Sequence, residues 1–217
     1  MIPIVSFVGK SNVGKTTFLE KVVAELKRRG YRVATLKHDA HGFEMDQPGK
    51  DTWRMAQAGS DRVLISSPDK VALIARADHD LTPDEVERQL VQGVDILITE
   101  GYKRGDKPKV EVSRRERGNE LLCREDELLA LATDQPYALN VPQFGLDEAG
   151  AAGVAALLIE QVIAPAQARR VEVLVDGQPL PLKPFVAEMI LGSLEGMLRA
   201  LRDTADAKEV TLKLRLR

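Results

Sequence analysis

The sequence predicts a three-layer α/β fold, a mostly parallel sheet between helices, with a small α+β appendage at its carboxyl end. Three observations carry that reading. Apolar runs rich in β-branched residues at 2–8, 32–36 and 95–99 read as buried parallel strands. Between them, apolar residues recur at helical spacing. Composition then shifts at Ala164-Pro165-Ala166-Gln167-Ala168, a linker over 164–170 that separates a domain over 1–163 from an appendage over 171–217.

The first strand, 2–8, stops at Gly9, and from Thr16 the period changes. Phe18, Leu19, Val22, Val23 and Leu26 share one helical face, and Gly30 stands where a helix closes on a left-handed residue. With 32–36 as the next strand, this is a βαβ unit with a right-handed crossover. Residues 51–58 form a short helix closed by Gly59. Residues 63–67 and 70–77 are two strands around a turn at Ser67-Pro68-Asp69. Thr82-Pro83-Asp84-Glu85 is a capping box with proline at the first helical position. The helix it opens is expected to bury Val86, Leu90 and Val91 and to end at Gly93. The strand 95–99 follows. Residues 109–113 alternate and read as an edge strand, 128–133 as another strand ending at Asp134, and 146–162 as a helix.

In the appendage, 171–175 is a strand and Asp176-Gly177 a turn. Pro184 opens an amphipathic helix expected to bury Phe185, Met189, Leu194, Met197, Leu198 and Leu201. A last alternating strand spans 210–216, giving a ββαβ-like order. Gly192 and Gly196 predict close helix packing.

The 217 residues suffice for one α/β domain and a small extra unit. A formal net charge of -2 argues against a nucleic-acid binder. The single cysteine, Cys123, excludes an intrachain disulfide. The amino terminus lacks the basic and apolar regions of a signal peptide, and no uncharged apolar run comes near the roughly 20 residues of a membrane span. The expected location is the cytoplasm, away from membranes.

Gly9-Lys10-Ser11-Asn12-Val13-Gly14-Lys15-Thr16 matches G-x-x-x-x-G-K-[ST], between a strand and a helix as the motif requires. The glycines permit close backbone approach, and the amides from Gly9 through Thr17 border a β-phosphate at the helix N-terminus. Lys15 neutralises charge between the β- and γ-phosphates, and the Thr16 hydroxyl is a ligand for Mg²⁺. The chain therefore reads as a P-loop protein holding a magnesium nucleotide, GTP first. Lys10 is placed like the lysine with which dimeric P-loop proteins reach a partner's phosphates, or as a solvated loop residue. Glu100, at the carboxyl end of its strand, is the preferred second metal residue over Asp95, which opens the strand at the remote end.

Lys37-His38-Asp39-Ala40-His41 borders the same crevice as a switch segment, with Asp39 near the metal or its water. Asp134 could accept guanine N–H groups or cap a turn, and the usual Asn-Lys-x-Asp guanine motif is absent. Arg114, Arg115 and Arg117 form a basic loop, suited to an anionic ligand or to solvent.

Three blocks resemble the molybdopterin-guanine dinucleotide biosynthesis protein B group. They are the P-loop with its Thr16-Thr17 pair, the segment from Lys37-His38 through His41, Asp46, Pro48-Gly49-Lys50-Asp51 and Ala58-Gly59, and Asp95 to Lys103 (DILITEGYK). The resemblance covers residues 1–163. It implies a P-loop homodimer that binds GTP, hydrolyses it slowly with Mg²⁺, and serves as adapter to the guanylyltransferase that attaches GMP to molybdopterin. By that likeness Lys15, Thr16 and Glu100 are phosphate and metal residues, and His38, His41 and Asp51 are motif positions without assigned roles. No glutamine is obviously placed to orient an attacking water, which fits slow turnover. The competing readings are an ATP-dependent small-molecule kinase, with the Arg114 to Arg117 loop as its lid, and a metal-insertion GTPase, disfavoured by the lack of clustered metal ligands.

Overall fold

A computed structural model describes residues 2–39, 42–168, 171, 173–199, 201 and 211. Two compact units emerge, 1–163 and 164–217.

In the first unit, β1 (Ile4–Val8) is buried throughout and leads through the glycine loop into α1 (Lys15–Arg28). Phe18, Leu19, Val22 and Leu26 turn inward from α1. The helix closes through Gly30 at φ +90°, where Tyr31 N–H donates to the Leu26 carbonyl. β2 (Val33–Lys37), α2 (Asp51–Gln57) and the hairpin β3 (Arg62–Ser66) and β4 (Val71–Ala75) follow. This hairpin forms its own two-stranded antiparallel sheet and does not join the main one.

α3 (Pro83–Leu90) starts on the predicted capping box: Thr82 accepts from Glu85 N–H while the Glu85 carboxylate accepts from Thr82 N–H. Those bonds hold the Glu85 carboxyl down at about 2. Val86 is buried, but Leu90 is exposed and Val91 already lies in extended backbone, so the helix ends three residues before Gly93. Glu87 instead turns inward and accepts from Ile2 N–H, fixing α3 to the start of β1.

β5 (Ile96–Glu100), β6 (Lys109–Ser113), β7 (Leu128–Thr133) and the short β8 (Gln143–Phe144) complete the main sheet. Its order is β2-β5-β1-β6-β7-β8, and every pairing is parallel. β6 is therefore an interior strand between β1 and β7, not an edge, and all five of its residues are buried. The alternation of Lys109 and Glu111 with valines misleads because both charged side chains are buried with partners. α4 (Glu148–Leu158) begins at Asp147, whose carboxylate accepts from Gly150 N–H, and packs on α1. The chain leaves β1 toward β2 and returns from β2 toward β5. Right-handed connections therefore put α1 and α3 on opposite faces, and α4, packed on α1, shares the face of α1.

The helical stretch 148–167 is long and apolar enough to span a membrane by length and composition, with mean hydropathy 1.6. It carries Glu148 and Glu160, so it is not an uncharged apolar run. Its apolar residues Ala151, Val154, Ala155, Leu157, Leu158 and Ile163 are buried in the core. Residues 159–163 form a π-helical turn.

In the second unit, α5 (Ala164–Ala168) makes the expected linker helical over 164–168. β9 (Val173–Val175) and β10 (Gln178–Leu180) form a hairpin about Asp176-Gly177, and α6 (Pro184–Arg199) follows. Phe185, Met189, Met197 and Leu201 are exposed rather than buried, and a Cβ at Gly192 or Gly196 would meet nothing within 4 Å. The expected strand over 210–216 lies outside the described residues apart from Thr211.

Candidate functional site

The order of strands reverses at β1, with β5 on one side and β6 on the other, and ligands of open α/β sheets bind at the carboxyl ends of such strands. The glycine loop leaves β1 there. Gly9 has φ +150°, and a Cβ on it would overlap the Val112 carbonyl of β6. Only glycine lets the loop start this close to the neighbouring strand. Asn12 and Gly14 both take positive φ, 59° and 86°, and Gly14 is the residue from which α1 begins. The positive end of the helix dipole thus opens into the loop.

Lys15 folds over the loop, its ammonium donating to the carbonyls of Lys10 at 2.8 Å and Gly9 at 3.1 Å. Burial pulls its pKa below the ordinary lysine value. Glu100 acts in the opposite direction, and the charges of Lys103 and Lys37 add to the lowering. The Thr16 hydroxyl lies 3.0 Å from each carboxylate oxygen of Glu100. Glu100 ends β5 in register with Phe7 of β1 and Lys37 of β2. A hydroxyl and a carboxylate converging at the start of α1 are hard oxygen donors of the kind Mg²⁺ takes, so the residues present fit that ion. Asp95 sits at the opposite end of the strand, bound to Arg32. Ser11, Asn12 and Thr17 are exposed, and Val13 is buried.

The second wall comes from the segment after β6. Arg114 donates from Nε to the Val13 carbonyl at 2.9 Å, and its guanidinium lies against Gly14. Lys10 reaches the Arg117 carbonyl at 3.1 Å within its own chain. Asp134, at the end of β7, accepts from Arg115 N–H at 2.8 Å. The buried Glu111 carboxylate accepts from Leu122 N–H at 2.7 Å and Cys123 N–H at 3.0 Å. Burial, then the Glu111 charge, pushes the Cys123 thiol up to about 12. The structure thus gathers Lys10, Asp134 and the arginine cluster around one loop.

On the β2 side, the His38 ring packs 4.4 Å from Tyr102 and its Nε2 lies 3.1 Å from both Asp80 oxygens. Tyr102 donates to the Leu81 carbonyl. This ties the chain after β5 to the approach of α3. Asp39 is exposed, with Gly42 N–H donating to its carbonyl. Asp46 accepts from Gln47 N–H and the Thr52 hydroxyl, while Asp51, an exposed residue, opens α2. His41 lies outside the described residues. Sequence reasoning missed the roles of Asp80, Tyr102 and Glu111. Only Glu111 carried a usable signal, a charged residue inside an apolar strand.

A family model, Molybdopterin guanine dinucleotide synthesis protein B, matches residues 4–134. The chain is 34% identical over 140 residues to the molybdopterin-guanine dinucleotide biosynthesis adapter protein of Haemophilus influenzae, covering 64% of this chain and 79% of that one. To the adapter protein of the same name from Escherichia coli it is 31% identical over 158 residues, covering 68% and 87%. The crystal structure of Bacillus subtilis MobB superimposes with a TM-score of 0.56 at 29% identity, over 74% of this chain and 98% of that one. With the loop, the helix and the acidic strand end arranged as this site requires, the chain belongs to the molybdopterin guanine dinucleotide synthesis protein B family.

Proposed function

We propose that the chain is an adapter in the assembly of molybdopterin guanine dinucleotide, binding GTP with Mg²⁺ and hydrolysing it slowly. It works as a homodimer with the molybdenum cofactor guanylyltransferase and molybdopterin-cofactor proteins. The observation that carries the nucleotide reading is the Thr16–Glu100 pair, a hydroxyl set 3.0 Å from both oxygens of a carboxylate where the phosphate loop meets the end of β5. The amides at the start of α1 and the Lys15 ammonium gather the phosphates. Thr16 and Glu100 hold Mg²⁺, which when bound neutralises charge on the β- and γ-oxygens. Asp39, on the segment leaving β2, stands on the switch side. The relatives' names place them in the biosynthesis of a guanine dinucleotide, which favours guanine as the base. A dimer has a ready surface in the hairpin β3–β4, where Leu64, Ile65 and Val71 are 62%, 57% and 66% exposed.

Calorimetric titration with GTP and ATP, with and without Mg²⁺, tests the nucleotide. GTP is expected to bind more tightly and to depend on the ion; a clear preference for ATP would overturn the reading in favour of a kinase. Co-purification with the guanylyltransferase in GTP tests the adapter role, and sedimentation of wild type beside Ile65→Asp tests the dimer. A wild-type monomer would remove the homodimer.

A further inference from the structure

We propose that Arg114 is a positioning residue for the phosphate loop, fixing the Val13–Gly14 peptide so that its N–H faces the bound β-phosphate. Arg114 is the first residue beyond β6, the interior strand beside β1, so a rigid sheet neighbour delivers it. Its Nε donates to the Val13 carbonyl at 2.9 Å, a contact that spans 101 residues of sequence. In a planar trans peptide the C=O and the next N–H point in opposite directions. Holding the Val13 carbonyl outward therefore holds the Gly14 N–H inward. Gly14 needs that help, because glycine at φ +86° has no side chain to restrict its rotation. Arg114 is itself held in place. Arg115 N–H is anchored on Asp134, Arg117 O receives Lys10, and the far side of the same loop is tied down by Glu111. Under this arrangement Lys10 and Asp134 support the phosphate loop through the 114–117 segment.

The inference rests on the phosphate-binding reading, and its test separates the two. Affinities for inorganic pyrophosphate, GDP and GTP are measured by calorimetry for wild type, Arg114→Ala, Arg114→Gln and Lys15→Ala, with melting curves for each. If wild type binds none of the three, or Lys15→Ala binds as wild type, the nucleotide reading itself fails. If those controls behave, Arg114→Ala is expected to lose about tenfold for all three ligands alike, the size of one charge-assisted hydrogen bond. Glutamine places an amide nitrogen the same number of bonds from Cβ as arginine Nε, so Arg114→Gln is expected to recover affinity to within about threefold. That recovery is something a purely charge-based role would not show. Unchanged affinity in Arg114→Ala overturns the proposal. A loss confined to GTP, which marks a γ-phosphate contact, also overturns it, and so does a loss that spares pyrophosphate, which marks a base or ribose contact. Arg114→Gln as weak as Arg114→Ala does the same.

Discussion

Removing the Glu111 carboxylate should release the loop that forms the second wall of the site. Glu111 is 1% exposed on β6 and accepts from the backbone N–H groups of Leu122 and Cys123. Hydrogen bonds to a charged acceptor contribute about 1.5–3 kcal/mol each, so Glu111→Ala forfeits about 3–6 kcal/mol before relaxation. Leu122 is 43% exposed, and water can reach its freed N–H, which brings the expected loss toward the low end, about 3 kcal/mol. For a chain of this size each kcal/mol lowers Tm by about 2–4 °C, giving a drop of about 6–12 °C by calorimetry. Glu111→Gln keeps one neutral acceptor and should lose about half as much. A second assay follows the loop directly. Burial, then the Glu111 charge, pushes the Cys123 thiol up to about 12 in the folded chain, which strongly suppresses its thiolate at pH 8. Wild type should therefore resist iodoacetamide until unfolded, and Glu111→Ala should label much faster while still folded. A variant that melted like wild type and labelled no faster would refute the idea that this carboxylate holds the loop.

Lys15→Ala should weaken GTP binding at least 100-fold by calorimetry, whereas Glu100→Ala should lose about tenfold in Mg²⁺ and little in EDTA. Nucleotide affinity should be complete below the lowered pKa of Lys15 and fall as pH rises through it, beginning under the ordinary 10.5, because the binding form is the cation. Proton uptake compared in two buffers of different ionisation enthalpy checks this. Thr82→Ala removes the cap of α3 and should destabilise the chain by about 1 kcal/mol in urea unfolding, with nucleotide affinity unchanged.

The parts of this fold that follow local rules were legible. The glycine loop, the α1 face, the capping box at Thr82 and the apolar strands β1, β5 and β7 each carry their pattern within a few adjacent residues. Glu100 could be preferred over Asp95 because strand direction alone separates the two ends of β5. What escaped depends on partners distant in sequence. Lys109 looks solvent-facing until Glu127 and the Gly105 carbonyl close on its ammonium at 3.0 and 2.7 Å. Asp80 gains meaning only when the approach to α3 meets His38. Leu90 of α3 and Phe185 of α6 followed the helical period, yet both are exposed, since periodicity shows which residues share a face and not what lies against it.

The position of β6 explains why charged residues occur in a central strand. Its two buried ionic side chains both act on the later half of the connection to β7. Glu111 holds the backbone at 122 and 123, and Lys109 holds Glu127 just before β7 begins. Buried ionic groups contribute little net stability compared with apolar residues of the same volume, and their directional partners can instead fix how a segment is held. Here the segment held is 114–127, whose first residue grips the phosphate loop. Valines at both positions would leave that segment without these anchors. The burial of Lys109 and Glu111 thus serves the candidate site that β6 supports, tying the glycine loop at the end of β1 to the polar interior of its neighbouring strand.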